Sequence, residues 1–150
     1  MSENISCPVS YITVNENRVR ITALFVFLSC LSYLVAPNWA IPAFLAVDFF
    51  LRGFGWGRYS LFNVLSGWIV RTLAINNKPI DQAPKLFAAR LGCFMALLLV
   101  ITAMFPPLPT GYIIDAILVL FSFLESALGF CAGCHVYTLI RKIFPTPDLK

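Results

Sequence analysis

The chain has 150 residues, of which 59% are hydrophobic, 15% aromatic and only 12% charged, with a net charge of +4. Soluble domains average about 45–50% apolar and about 25% charged residues, so a soluble fold of this length has nowhere to hide the apolar surface. The same excess excludes disorder, and an odd count of five cysteines excludes a disulfide-stapled secreted mini-protein. The composition therefore predicts an all-α polytopic membrane protein forming a single integral membrane domain over residues 1–150.

Met1 to Asn17 is polar and carries Glu3 and Glu16, with no basic region ahead of an apolar core. It does not read as a cleavable signal peptide. A first helix is expected from Asn17 to Val35, with the arginine stems of Arg18 and Arg20 extending a slightly short apolar run. Pro37-Asn38-Trp39 is a tight turn with an interfacial tryptophan. A second, short apolar stretch runs from Ala40 to Leu51, with Pro42 in its first turn and Asp48 and Arg52 four apart near its end. Gly53, Gly55 and Gly57 break the helix at the membrane surface beside Trp56.

Between Arg58 and Leu73, Leu61, Phe62, Leu65, Trp68, Ile69 and Thr72 recur at helical spacing. This predicts an amphipathic helix lying in the interface. Asn76-Asn77-Lys78-Pro79 is a turn, Asp81 caps the next helix, and the apolar core of that helix runs from Leu91 to Phe105. A Pro-rich turn stops it. The final segment, Tyr112 to Phe144, reads as one long helix that must tilt or protrude.

All eleven Lys and Arg lie near the chain ends or between Arg52 and Arg90, and the turns at 37–41 and 106–112 have none. By the positive-inside rule both termini and the central region face the cytoplasm. Four transmembrane helices plus one interfacial helix satisfy that parity.

Cys131-Ala132-Gly133-Cys134-His135 is the most informative motif. On a continuous helix Cys131, Cys134 and His135 share one arc. Paired thiols suit a soft metal ion, a dithiol–disulfide switch, or sulfur carried as a persulfide. Cys131, Cys134 and Cys7 are the redox or sulfur-binding candidates, and Cys131, Cys134 and His135 the metal candidates. The bland alternative is that these cysteines are small apolar fillers. Cys30 and Cys93 are isolated and read as packing residues. Inside a regular helix a direct Cys131–Cys134 disulfide is awkward, and Cys134, nearer the basic Arg141 and Lys142, is expected to be the more reactive thiol.

Glu125 is an intramembrane acid. One reading is a proton or cation site; the other is a neutral acid bonded across the small-residue stripe of Ser122, Ser126, Gly129 and Gly133. On a continuous helix it faces away from the thiols. Asp115, near the outer end, reads as a solvated residue, and Asp48 with Arg52 as a structural ion pair.

Four stretches of the chain resemble a bacterial family of small four-helix membrane proteins classed only as a domain of unknown function. They are Cys7-Pro8 with Val14-Asn15-Glu16 and Arg18; Asp48-Phe49-Phe50-Leu51-Arg52; Pro84 to Gly92; and Gly129 to Cys134 with Tyr137. The resemblance implies the fold and a bacterial inner-membrane location, and no activity. The leading functional reading is a thiol-based carrier or redox partner for a sulfur species or soft metal, working with a cytoplasmic thiol or sulfur-carrier protein. The alternative is a non-catalytic membrane scaffold. Nothing in the chain points to nucleic acid.

Overall fold

A computed structural model describes residues 12–105 and 109–144. Its elements in chain order are β1 (Thr13–Asn15), α1 (Glu16–Val35), α2 (Ala40–Gly53), a 3₁₀ turn (Gly57–Tyr59), α3 (Leu61–Thr72), β2 (Pro79–Asp81), α4 (Gln82–Met104), α5 (Thr110–Leu128) and α6 (Ala132–Ile143).

Side-chain caps start the helices where the sequence offers them. Asn15 accepts from the Asn17 amide at 3.0 Å, Asp81 from the Ala83 amide at 3.2 Å and Ser60 from the Asn63 amide at 3.3 Å, each satisfying an orphan donor of a first turn. α2 packs along α4, and α1 along α5. Val26, Leu45, Phe62, Ala96, Leu99 and Leu118 lie at the centre of the bundle. The outward faces are also apolar, with Leu28, Phe94, Leu97, Ile101, Ile113 and Leu120 exposed. That arrangement suits hydrocarbon rather than water on the outside. Three helices, α1, α4 and α5, are long and apolar enough to cross a membrane. α2, with 14 residues, is about 21 Å long at 1.5 Å per residue, short of the roughly 30 Å of a bilayer core.

Basic residues tie the helix ends together at one end of the bundle. Arg20 on α1 donates from Nε to the Ser126 carbonyl at 3.2 Å and from Nη2 to the Ala127 carbonyl at 2.8 Å, a cation on the carbonyl end of α5. Arg18 donates to the Asn63 carbonyl at 3.1 Å, and Arg90 on α4 to the Gly53 carbonyl at 2.8 Å. These arginines thus hold protein carbonyls.

The structure departs from the sequence reading in three places. First, the fold is not purely helical. β1 pairs antiparallel with β2, with Val14 opposite Ile80, and the Glu16 carboxylate meets Lys78 Nζ at 2.8 Å. This strap fastens the start of α1 to the start of α4. Second, the last segment is two helices. Gly129 at φ 68° ends α5, with the Gly129 amide on the Glu125 carbonyl at 3.1 Å and the Phe130 amide on the Leu124 carbonyl at 3.2 Å, a left-handed C-terminal closure that a glycine accommodates without strain. Third, Asp115 is not solvated. It is 0% exposed, in the interior beside Cys30.

Candidate functional site

The break at Gly129 creates the site. After it the chain turns, and α6 packs against α4. The approach is close: a Cβ on Gly133 would lie 2.7 Å from Ala88 Cβ and 2.9 Å from Ala88 Cα. Cys131 is therefore the N-cap of α6 rather than a residue inside a long helix. Its sulfur accepts the Cys134 amide at 3.3 Å. Cys131 is 6% exposed, and Cys134 is half-buried.

This placement reverses the expected order of the two thiols. The Cys134 thiol donates to the Cys131 sulfur and holds the Cys131 thiol below its ordinary range; the same bond, followed by burial, pushes Cys134 up. A helix N-terminus adds amide dipoles that favour a thiolate. The basic residues at the far end of α6 do not decide the order.

Glu125 is also relocated relative to the thiols. Because the chain reverses at Gly129, Glu125 and Cys131 line one cavity of about 140 Å³. The partner of the Glu125 carboxylate lies on another helix rather than along the small-residue stripe. Glu125 pairs with Lys85 on α4, Oε1 to Nζ 2.7 Å, with side-chain exposures of 21% and 17%. Replacing Glu125 by Gln is expected to lower stability by about 1–2 kcal/mol, the cost of leaving a largely buried ammonium without its counter-charge. Lys85→Met added to Glu125→Gln should restore most of it. Denaturant titration of both proteins in mild detergent measures the difference.

A second cavity of about 150 Å³ lies on the other side of this pair. It is lined by Lys85, Gln82, Asn63 and Thr22, and it shares Phe49, Arg52, Ala88 and Glu125 with the first. Arg52 thus borders both. It pairs with Asp48, Nε to Oδ2 3.0 Å, and stacks on Phe49 with Cζ 4.6 Å from the ring centre. Asp48, 2% exposed, also accepts from Ser60 Oγ at 2.5 Å and from the Phe62 amide at 3.4 Å. Arg52 Nη2 is shut off from solvent and has no hydrogen-bond acceptor among the described residues.

The remaining candidates scatter. His135 is exposed, its Nδ1 lies 3.1 Å from the Cys131 carbonyl, and its ring lies tilted against Phe130. Among the described residues no group of three or more His, Cys, Asp or Glu is arranged to hold a metal ion. Cys7 lies outside the described residues. Cys93 is buried and donates to the Ala46 carbonyl at 3.5 Å, and Cys30 is buried between α1 and α5. The residue that sequence reasoning missed is Lys85. It stands in a basic run, and its distance of 40 positions from Glu125 hides the pairing.

No curated protein and no solved structure matches the chain. The family profile of a domain of unknown function, DUF4395, matches residues 14–142, and the chain belongs to that family.

Proposed function

We propose that this protein is an integral membrane thiol relay in which Cys131 is the nucleophile toward a sulfur-bearing substrate and Cys134 the second, resolving thiol. The observation that carries this reading is the position of Cys131: the N-cap of α6, its sulfur accepting the Cys134 amide, in the wall of a cavity. A CxxC pair at a helix start has the freedom to close that a pair inside a regular helix lacks. The step is balanced with a disulfide substrate. The Cys131 thiolate attacks one sulfur and displaces the other as a thiolate. Cys134 then gives up its proton and attacks Cys131, forming the Cys131–Cys134 disulfide and releasing the second thiolate.

In the membrane we assign four crossings, with α2 as the short one beside α4, and α3 and α6 at the interface. The Arg- and Lys-bearing end faces the cytoplasm, and the location is the bacterial inner membrane. A scaffold in which Cys131 only caps α6 is the competing reading.

Serine separates the two, because it caps a helix at least as well as cysteine. Cys131→Ser should fold normally and lose the capacity to form an intramolecular disulfide with a mild oxidant. Cys134→Ser should instead accumulate a mixed disulfide at Cys131 when given a small disulfide. A folded wild-type protein whose thiols enter neither product would leave the scaffold reading standing.

A further inference from the structure

The nucleophile is nearly enclosed. Cys131 is 6% exposed, so a disulfide carried on another folded protein meets a residue largely covered by its neighbours. Its substrate has to enter the cavity of about 140 Å³. A cavity near 150 Å³ holds benzene, so an occupant of about five or six non-hydrogen atoms fits it. The lining is largely apolar, with Val26, Leu91, Met95, Leu118 and Phe121, apart from Ser122, Glu125, Arg52 and Cys131 itself.

Arg52 is the chemical clue. Asp48 Oδ2 faces its Nε at 3.0 Å as an ion pair, but neither Nε nor Nη2, both withdrawn from water, has a hydrogen-bond acceptor among the described residues. A buried guanidinium N–H without an acceptor is an incomplete site, and an anionic oxygen or sulfur completes it with a charge-assisted bond. Asp48 Oδ1 is taken by Ser60 and the Phe62 amide, its Oδ2 faces Arg52 as an ion pair without a hydrogen bond, and the Glu125 carboxylate pairs with Lys85.

We infer that the cavity beside Cys131 binds a small inorganic sulfane-sulfur anion, oriented by Arg52, and that Cys131 takes its outer sulfur. The inference rests on the thiol-relay reading and names its substrate class. With thiosulfate as the example, the Cys131 thiolate attacks the outer sulfur, a new S–S bond forms at Cys131, and the S–S bond of thiosulfate breaks. Sulfite leaves with the electron pair. One thiolate and one dianion become one persulfide anion and one dianion, so no external oxidant or reductant is needed. Cys134 can then displace hydrosulfide from the persulfide to give the internal disulfide, or a small-molecule thiol can take the sulfur on.

The test uses the full chain in mild detergent, in the Cys134→Ser background so that a persulfide persists. Thiosulfate should load one sulfur atom on Cys131, seen by mass spectrometry, with one sulfite released per protein; sulfate should compete. A matched pair of alkylating agents reads the charge. Iodoacetate relative to iodoacetamide should react with Cys131 roughly fivefold faster than the same ratio for a free cysteine, the factor one charge at about 4 Å gives even in water. Arg52→Gln should remove that preference. Ser122→Leu is an independent check, because among the described residues its hydroxyl bonds only to carbonyls of its own helix, Leu118 and Val119. It fills the cavity without breaking a contact between helices and should abolish loading.

Glutathione disulfide reacting as fast as the small reagents would overturn the small-anion inference and leave the thiol relay intact. So would alkylation of Cys131 without any loading by thiosulfate. A folded protein in which Cys131 reacts with none of these reagents would overturn both.

Discussion

Asp48→Ala is expected to destabilise the protein by about 3–5 kcal/mol, the range seen when one member of a buried ion pair is removed. The carboxylate does three jobs at once. It neutralises Arg52, it accepts the Ser60 hydroxyl that also caps α3, and it receives the Phe62 amide. Its loss leaves a guanidinium in the bundle with neither counter-charge nor acceptor, and it loosens the joint between α2 and α3. Asp48→Ala combined with Arg52→Leu should recover most of the loss, since replacing a whole buried pair by apolar groups is often neutral. Unfolding by denaturant in mild detergent, followed by tryptophan fluorescence, measures both. A single variant within about 1 kcal/mol of wild type would mean that water reaches Arg52 and the pair is not buried in the sense argued.

The helix pattern was legible because composition and punctuation agree. Pro37 after α1, Asp81 and Pro84 at the start of α4, and the glycines of 53–57 each stop or start a helix by a local rule, and the structure follows them to within a residue or two. The strap of β1 and β2 was not legible. Three residues carry no period, and the partner of Val14 is Ile80, far away in the chain. The break at 129 was visible in principle. Gly129 is followed by a residue able to cap, the pattern of one helix ending and another beginning. It was submerged because Ser122, Ser126, Gly129 and Gly133 also fit a packing stripe, and the apolar run continues through Phe130.

That single misreading accounts for the errors about the site. Extending one helix through 129–131 rotates Glu125 away from the thiols and puts Cys131 in a helix interior. Ending it there brings Glu125, Cys131 and Arg52 around one cavity. Residue types were readable one by one: a buried acid, a CxxC and an Asp–Arg pair. Their convergence depended on the one backbone angle that redirects the chain, and on Lys85, whose partner lies on another helix.

Alkylation of the folded, reduced protein should consume Cys131 well before Cys134, although Cys131 is the less exposed of the two. Accessibility alone predicts the opposite order, so the experiment separates sterics from thiolate character. The thiolate is the reacting species. Cys131 is held below the ordinary thiol range by the hydrogen bond from the Cys134 thiol, whereas Cys134 is pushed above it by keeping that proton and by burial. The sign for pH follows: a lowered pKa leaves thiolate present further down the scale. With iodoacetamide, Cys131 should keep its rate as pH falls below the range where free cysteine loses its own, while Cys134 should react only at higher pH. Cys131 therefore carries the larger thiolate fraction at neutral pH and should be the faster of the two. Cys134→Ala removes the donor and should shift the Cys131 profile upward toward that of an ordinary thiol. Cys131→Ser should bring Cys134 down, since no neighbouring thiolate then holds its proton. Peptide mapping after brief labelling reads each site separately. Equal rates at the two cysteines, or a Cys131 profile unmoved by Cys134→Ala, would remove the thiol–thiol bond as the cause and leave the α6 amides alone to explain any reactivity at 131.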